Sequence, residues 1–230
     1  MSIFMTQLAG FRINMTPEAI WKLFKFMMDA AVTTGEIFLL TLLFALPLGL
    51  LVSFGRMSKL KIINWPIRVY LLIMRGTPLI LQLFFFYFGP AYLFPMRLER
   101  FTAAILAMSL NYAAYFAEIY RSGIESMPKG QYEAATVLGF TKRQTFFKIV
   151  LPQVIKRILP PMGNEFMTLV KDTALVTVIG VAEIYQLATD QMSMRSSMIP
   201  LIMAGVFYLV MNGVVSKCFH IAEQKLSYYR

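Results

Sequence analysis

Four stretches of this chain run for 17 to 21 residues without a charged side chain: 37–55, 76–96, 101–117 and 196–216. A helix of about 20 mostly apolar residues crosses the hydrocarbon of a bilayer, so each run reads as a membrane span. A fifth stretch, 158–182, is apolar but interrupted by Glu165, Lys171 and Asp172, and is entered through Pro160 and Pro161. Interrupted helices are tolerated in membranes where they line a cavity or pack against protein, and this one counts as a span as well. The expected fold is an all-α integral membrane protein with five transmembrane helices, near 31–55, 72–96, 101–120, 158–182 and 196–216. Composition agrees. The 230 residues are 58% hydrophobic and 15% charged, against about 45–50% and about 25% in soluble domains, which excludes a soluble domain and a disordered segment.

The net charge of +10 comes from 22 Lys and Arg against 12 Asp and Glu. Such a balance fits nucleic acid or an anionic membrane surface, and placement decides between them. With five spans, fourteen basic residues fall on the side of the loop after the first span, the loop after the third and the C-terminal tail, and six fall opposite. By the positive-inside rule the N-terminus lies outside and the C-terminus in the cytoplasm. Sidedness accounts for the charge, and no nucleic-acid partner is expected. The first 14 residues lack a basic region followed by an apolar core, so the N-terminus is expected to be retained. Within 17–29, Ile20, Phe24 and Met27/Met28 oppose Lys22 and Lys25, which fits an outer interfacial helix or a lead-in to the first span. The single Cys218 allows no internal disulfide, and the single His220 rules out a His-rich metal cage. The aromatic run 84–88 and the 17 Met residues read as packing against lipid and helices. There is no internal repeat, so residues 1–230 read as one membrane domain: a lead-in 1–30, a core 31–220 and a cytoplasmic loop 121–152.

That loop is the most informative segment. The spacing predicts a short helix over about 130–138, stopped by Gly139 in a left-handed position. A second helix is expected to begin at Thr141, whose spacing to Gln144 makes a capping box, and to end before Pro152. Ala134 and Ala135 would keep this elbow slim enough for close approach by another protein. The alternative is an amphipathic helix that only covers the end of the bundle.

Glu133-Ala134-Ala135, Gly139, Ile149 and Leu151-Pro152 match the EAA signature of permease subunits of binding-protein-dependent ABC importers in seven positions. More of the chain resembles the polar amino acid branch of that family. Arg75-Gly76-Thr77-Pro78-Leu79 is similar to its RGTPL motif. Asn111-Tyr112-Ala113-Ala114-Tyr115, with Glu118 and Arg121-Ser122-Gly123-Ile124, resembles the end of its third helix. Gly130-Gln131 precedes the EAA as in that branch, and Asn164-Glu165-Phe166 through Lys171-Asp172-Thr173 resembles its NEF…KDTSL stretch. Ala174 departs from the serine usual there. The resemblance covers roughly 30–220 and implies the type I importer (MetI-like) permease fold. It also implies that Gly130, Gln131, Glu133, Ala134, Ala135 and Gly139 couple the chain to an ATPase. The expected partners are ABC ATPase subunits, a second permease subunit (identical or homologous), an extracytoplasmic solute-binding protein, an amino acid substrate and membrane lipid. The expected location is a bacterial inner membrane.

Charges inside a bilayer cost about 2.5–3.5 kcal/mol each and are paired or line a pathway. Arg75, Thr77, Glu165, Lys171 and Asp172 are therefore candidate pathway residues. Glu165 could hold an α-ammonium or cationic side chain, or form a structural bond to Arg75 or backbone. Lys171 and Asp172 fit structural or gating roles. Arg75 precedes a Gly-Thr-Pro break whose freed backbone a cavity could use, or it snorkels at a kink. No GxxxxGK[ST] phosphate loop is present, so the chain is expected to carry no cofactor and no catalysis, with ATP and Mg on the partner ATPase. The alternative is an ion-coupled secondary transporter, for which the expected inverted repeats are missing. An intramembrane enzyme lacks a nucleophile–His pair or metal set.

Overall fold

The computed structural model describes residues 16–93 and 97–226, with helices joined by short turns as the regular elements among the described residues. The N-terminal 15 residues of the expected lead-in, Arg12 among them, lie outside the described residues, as do the 94–96 end of the second expected span and Arg230 of the tail. Helix α1, Pro17–Met57, has 41 residues, about 60 Å at 1.5 Å per residue. The Thr16 hydroxyl accepts the amide of Ala19 at its start, Glu18 lies in its first turn and Arg56 in its last, the arrangement favoured by the helix dipole. The amphipathic stretch 17–29 is the beginning of this helix rather than a separate one.

Helices α2, Lys61–Gly76, and α3, Leu79–Leu93, follow. Between them Thr77 is extended, with φ −118° and ψ 148°, as the residue before a proline is driven to be. Helix α4, Arg100–Glu125, is capped by Glu99, whose carboxylate accepts the amides of Phe101 (3.2 Å) and Thr102 (3.1 Å). The Thr102 and Phe101 amides hold this carboxyl below the usual carboxylate range. Helix α5, Lys129–Val137, and the short α6, Lys142–Gln144, form the loop. A π-helical turn, Thr145–Val150, leads directly into α7, Leu151–Asp172. Then come a 3-10 turn, Thr173–Ile179, Gly180 at φ +77°, α8 over Ile184–Arg195 and α9 over Ile199–Lys225.

Two expectations need correction. The chain does not stop before Pro152: the Leu151 amide bonds back to Phe146 O, and this wide turn gives room to a ring that would clash with an ordinary α-helical carbonyl. Pro160 and Pro161 likewise sit inside α7 instead of opening it. Among the described residues two helices, Pro17–Met57 and Ile199–Lys225, are long and apolar enough to cross a membrane, or three if α2 and α3 count as one broken span. Helices α4 and α7 fall below that measure because they carry Asn111, Glu118 and Arg121, or Lys156, Arg157 and Glu165.

The chain packs as two compact units, each drawn from interleaved segments. Among the described residues, one takes 16–40, 80–93, 97–107 and 169–213. Its core joins Leu23 and Met27 to Ile184, Ala188 and Ala204, with Phe24 stacked on Phe207 at 5.6 Å. The other takes 41–79, 108–168 and 214–226. There Leu71 of α2 packs on Ala114 and Ala117 of α4, and small residues on one helix let the other approach. The Tyr70 hydroxyl donates to Leu110 O (2.6 Å) and Asn111 Nδ2 to Met74 O (2.9 Å). A second cluster of this unit, Met127, Val150 and Val154, seats the loop.

Candidate coupling loop and membrane charge clusters

The loop is fixed by its own backbone chemistry. Helix α5 ends in a Schellman arrangement: Phe140 N–H bonds to Ala135 O, Gly139 N–H to Thr136 O, and Gly139 sits at φ +78°, where a side chain would be strained. Immediately after, the Thr141 hydroxyl accepts the Gln144 amide (3.3 Å) while Gln144 Oε1 accepts the Thr141 amide (2.9 Å). This is the expected capping box. Gln153 of α7 donates to Gln131 of α5 at 3.3 Å, and Arg157 donates to Ser126 O and Oγ, tying both sides of the loop to α7.

The elbow displays Glu133, Ala134 and Gly130 outward, along with Val137 (88% exposed), Leu138 (72%), Tyr132 and Phe147. Exposed apolar side chains gathered this way are uncommon on a surface that meets only water. Ala135 departs from expectation: it is 1% exposed and packs inward, so only Ala134 of the pair is free for a partner. A cavity of about 390 Å³ opens beside them, lined by Tyr132, Thr136, Phe140, Lys142, Thr145 and Phe146.

Arg75 belongs to a cluster centred on Glu118. That carboxylate meets Arg121 (2.7 Å), Arg56 (3.7 Å) and Arg75 (3.9 Å), and Arg121 also bonds Glu125. The Arg75 guanidinium lies 5.5 Å over the Tyr115 ring, a cation–π contact. Three arginines from α1, α2 and α4 therefore converge on one half-buried carboxylate, with Arg121 at the root of the loop. Thr77 is exposed, its hydroxyl donating to Ile73 O (2.8 Å) across the helix break. Glu165 is half-buried on α7, beside Phe166, whose ring packs on Phe219 (4.9 Å) and Phe116 (5.8 Å). Arg75, Thr77 and Glu165 belong to one compact unit. Lys171, exposed, and Asp172, half-buried, belong to the other.

The most buried acid was missed by the sequence reading. Glu183 is 0% exposed. Tyr208 O–H donates to its Oε2 at 2.6 Å, the Thr34 hydroxyl lies 3.4 Å away, and its Oε1 accepts the Gln186 amide at 2.9 Å. One carboxylate thus caps α8 and ties it to α1 and α9. The signal was present: Glu183 directly follows an apolar stretch and precedes Gln186 by three residues, an N-cap spacing. Glutamate is not among the favoured N-cap residues, so the pattern is easily passed over. Among the described residues no group of three or more His, Cys, Asp or Glu is placed to hold a metal ion.

Residues 45–228 match the family model described as binding-protein-dependent transport system inner membrane component. The chain is 38% identical over 194 residues to the L-cystine transport system permease protein TcyB of Bacillus subtilis (strain 168), covering 83% of this chain and 82% of that protein. It is 36% identical over 202 residues to the arginine transport system permease protein ArtQ of the same organism, covering 87% and 92%. With the glutamine transport system permease protein GlnP of Escherichia coli (strain K12) it shares 34% over 211 residues, covering 91% and 96%. Among solved structures, a chain from the crystal structure of an amino acid ABC transporter with histidines superposes with a TM-score of 0.84 at 32% identity, covering 93% of this chain and all of that one. A chain of the MetNI methionine ABC transporter shares the fold, with a TM-score of 0.66 at 17% identity over 92% of this chain and 99% of that one.

Proposed function

The chain belongs to the family of inner membrane components of binding-protein-dependent transport systems, and from that premise we propose that it is the permease subunit of an ATP-driven importer of a polar amino acid. The observation that carries this reading is the elbow 129–144, with its EAA signature, Schellman end and capping box. A rigid knob that exposes Glu133, Ala134, Val137 and Leu138 suits a cleft on a cytoplasmic ATPase. In this reading Gly130, Gln131, Glu133 and Ala134 meet the ATPase, while Ala135 and Gly139 hold the elbow's shape. ATP and Mg stay on the ATPase, because this chain has no phosphate loop.

The chain works as one transmembrane domain in a bacterial inner membrane, crossing it five times: α1, the broken pair α2–α3, α4, α7 with its 3-10 turn, and α9. The basic residues after α1 and in 121–157 support a cytoplasmic loop and C-terminus with the N-terminus outside. Two such subunits, identical or homologous, enclose one path fed by an extracytoplasmic solute-binding protein. Closure of the ATPases drives the paired loops together and exchanges inward for outward access. Along the path Glu165 receives the substrate's ammonium group, with Thr77 at the break between α2 and α3 and Arg75 held there by Glu118; Lys171 and Asp172, in the other compact unit, serve gating. The ion-coupled alternative has no supporting observation.

The test is reconstitution with the partner ATPase in proteoliposomes. Loaded binding protein is expected to raise ATP hydrolysis and drive uptake of a labelled polar amino acid. Hydrolysis indifferent to loaded binding protein, or uptake driven by an ion gradient without ATP, would overturn the reading.

A further inference from the structure

The turn between α1 and α2 builds a basic groove that neither coupling nor the pathway uses. Ser58, Lys59, Lys61, Ile62, Asn64, Trp65 and Arg68 line a cavity of about 570 Å³. No carboxylate is among them. Arg68 also lines an adjoining open cavity of about 590 Å³ with Arg56 and Arg75, whose one acid, Glu118, is already held by arginines. Apolar side chains of α2 stand out beside the cations: Ile62 is 82% and Trp65 68% exposed.

The groove is pre-shaped. Asn64 Nδ2 donates to Arg56 O and to Ser58 O (3.2 Å), pinning the end of α1 to the start of α2. Gly55 of α1 lies so close to Ile67 of α2 that an added Cβ would overlap the Ile67 methyl. Its position follows from α1, which is apolar enough to span a bilayer and ends where the groove begins. Headgroups gather at that depth, and tryptophan favours that interface.

We propose that this groove is a binding site for the phosphate of an anionic phospholipid. Lys59, Lys61 and Arg68 hold the headgroup and Ile62 and Trp65 lie along the acyl chains. Cations and exposed apolar groups on one preformed wall match an amphiphilic anion, whereas a free phosphate would leave the apolar wall unmatched. The site rests on the reading of α1 as a span, not on the identity of the transported substrate, so failure of uptake and failure of lipid binding are separate results.

The full chain has two tryptophans, so Trp21→Phe leaves Trp65 as the single reporter. The experiment compares quenching of Trp65 by brominated phosphatidylglycerol and brominated phosphatidylcholine in vesicles. The anionic lipid is expected to be preferred, with roughly a fivefold loss of preference per cation removed in Lys61→Gln and Arg68→Gln. Arg68→Lys, which keeps the charge, retains the preference, and so does Lys142→Gln/Arg143→Gln, which removes equal charge from the loop. Equal quenching by both lipids overturns the site, as does a preference untouched by Lys61→Gln/Arg68→Gln or lost equally in the loop variant. Displacement of the brominated lipid by inorganic phosphate reassigns the groove to a soluble anion and overturns the lipid proposal.

Discussion

Single residues carry most of the constraint in this chain, and the strictest is Glu183. Three donors from three elements reach one carboxylate that no solvent touches. An unmade hydrogen bond to a buried group costs about 1–3 kcal/mol. Tyr208→Phe, which removes one donor without changing shape, is expected to destabilise the protein by that amount, and Glu183→Ala by more because the α8 cap goes with it. Thermal unfolding of the detergent-solubilised chain measures both, and midpoints equal to the parent would refute the tie. Gly139 is a second strict position. A β-branched residue at φ +78° costs about 1–2 kcal/mol of strain, so Gly139→Val should distort the elbow and weaken ATPase binding. Glu133 is exposed, so Glu133→Lys reverses a surface charge; on the proposed coupling role it should reduce ATPase co-purification while leaving thermal stability at the parent value. Normal transport by both variants would remove the loop from coupling.

At the scale of elements, the loop is built from local rules and the helices around it are not. The Gly139 stop and the Thr141–Gln144 box follow from residue type and spacing, and both stand as the spacing predicts. Thr141→Ala removes the hydroxyl side of the box at a cost of about 0.5–2 kcal/mol. Faster amide hydrogen exchange at 142–145 with unchanged exchange in α9 is the expected signature, and uniform exchange across the chain would count against local capping. Pro152, Pro160 and Pro161 went the other way. Each reads locally as a helix boundary, yet α7 runs through all three; at Pro152 a π-helical turn makes room for the ring, and Val150 and Val154 on either side of it are held by packing on Met127. Sequence spacing states what a proline costs; only neighbours decide whether the helix bears it. Ala135 shows the same limit, since nothing in its residue type says which way it faces.

For the whole molecule, the distribution of charge sets how the chain sits in a membrane. The single cysteine, Cys218, is exposed beyond the expected last span, which makes the native thiol a reporter of sidedness. A membrane-impermeant maleimide is expected to label it in inverted vesicles and not in intact spheroplasts. Labelling from outside would reverse the orientation.

The sequence by itself determined that the chain is a membrane protein, where its apolar helices lie and where the elbow of the loop turns, because length, hydropathy and turn chemistry are local properties. It also placed Arg75 beside a helix break. Only the tertiary structure decided that Arg75, Arg56 and Arg121 share Glu118, that Glu183 joins Thr34 and Tyr208 across 149 and 25 residues of chain, and that the turn after α1 encloses a basic groove. These partners are remote in sequence and carry no period. A buried charge announces that it needs a partner, but the identity of that partner is settled by packing.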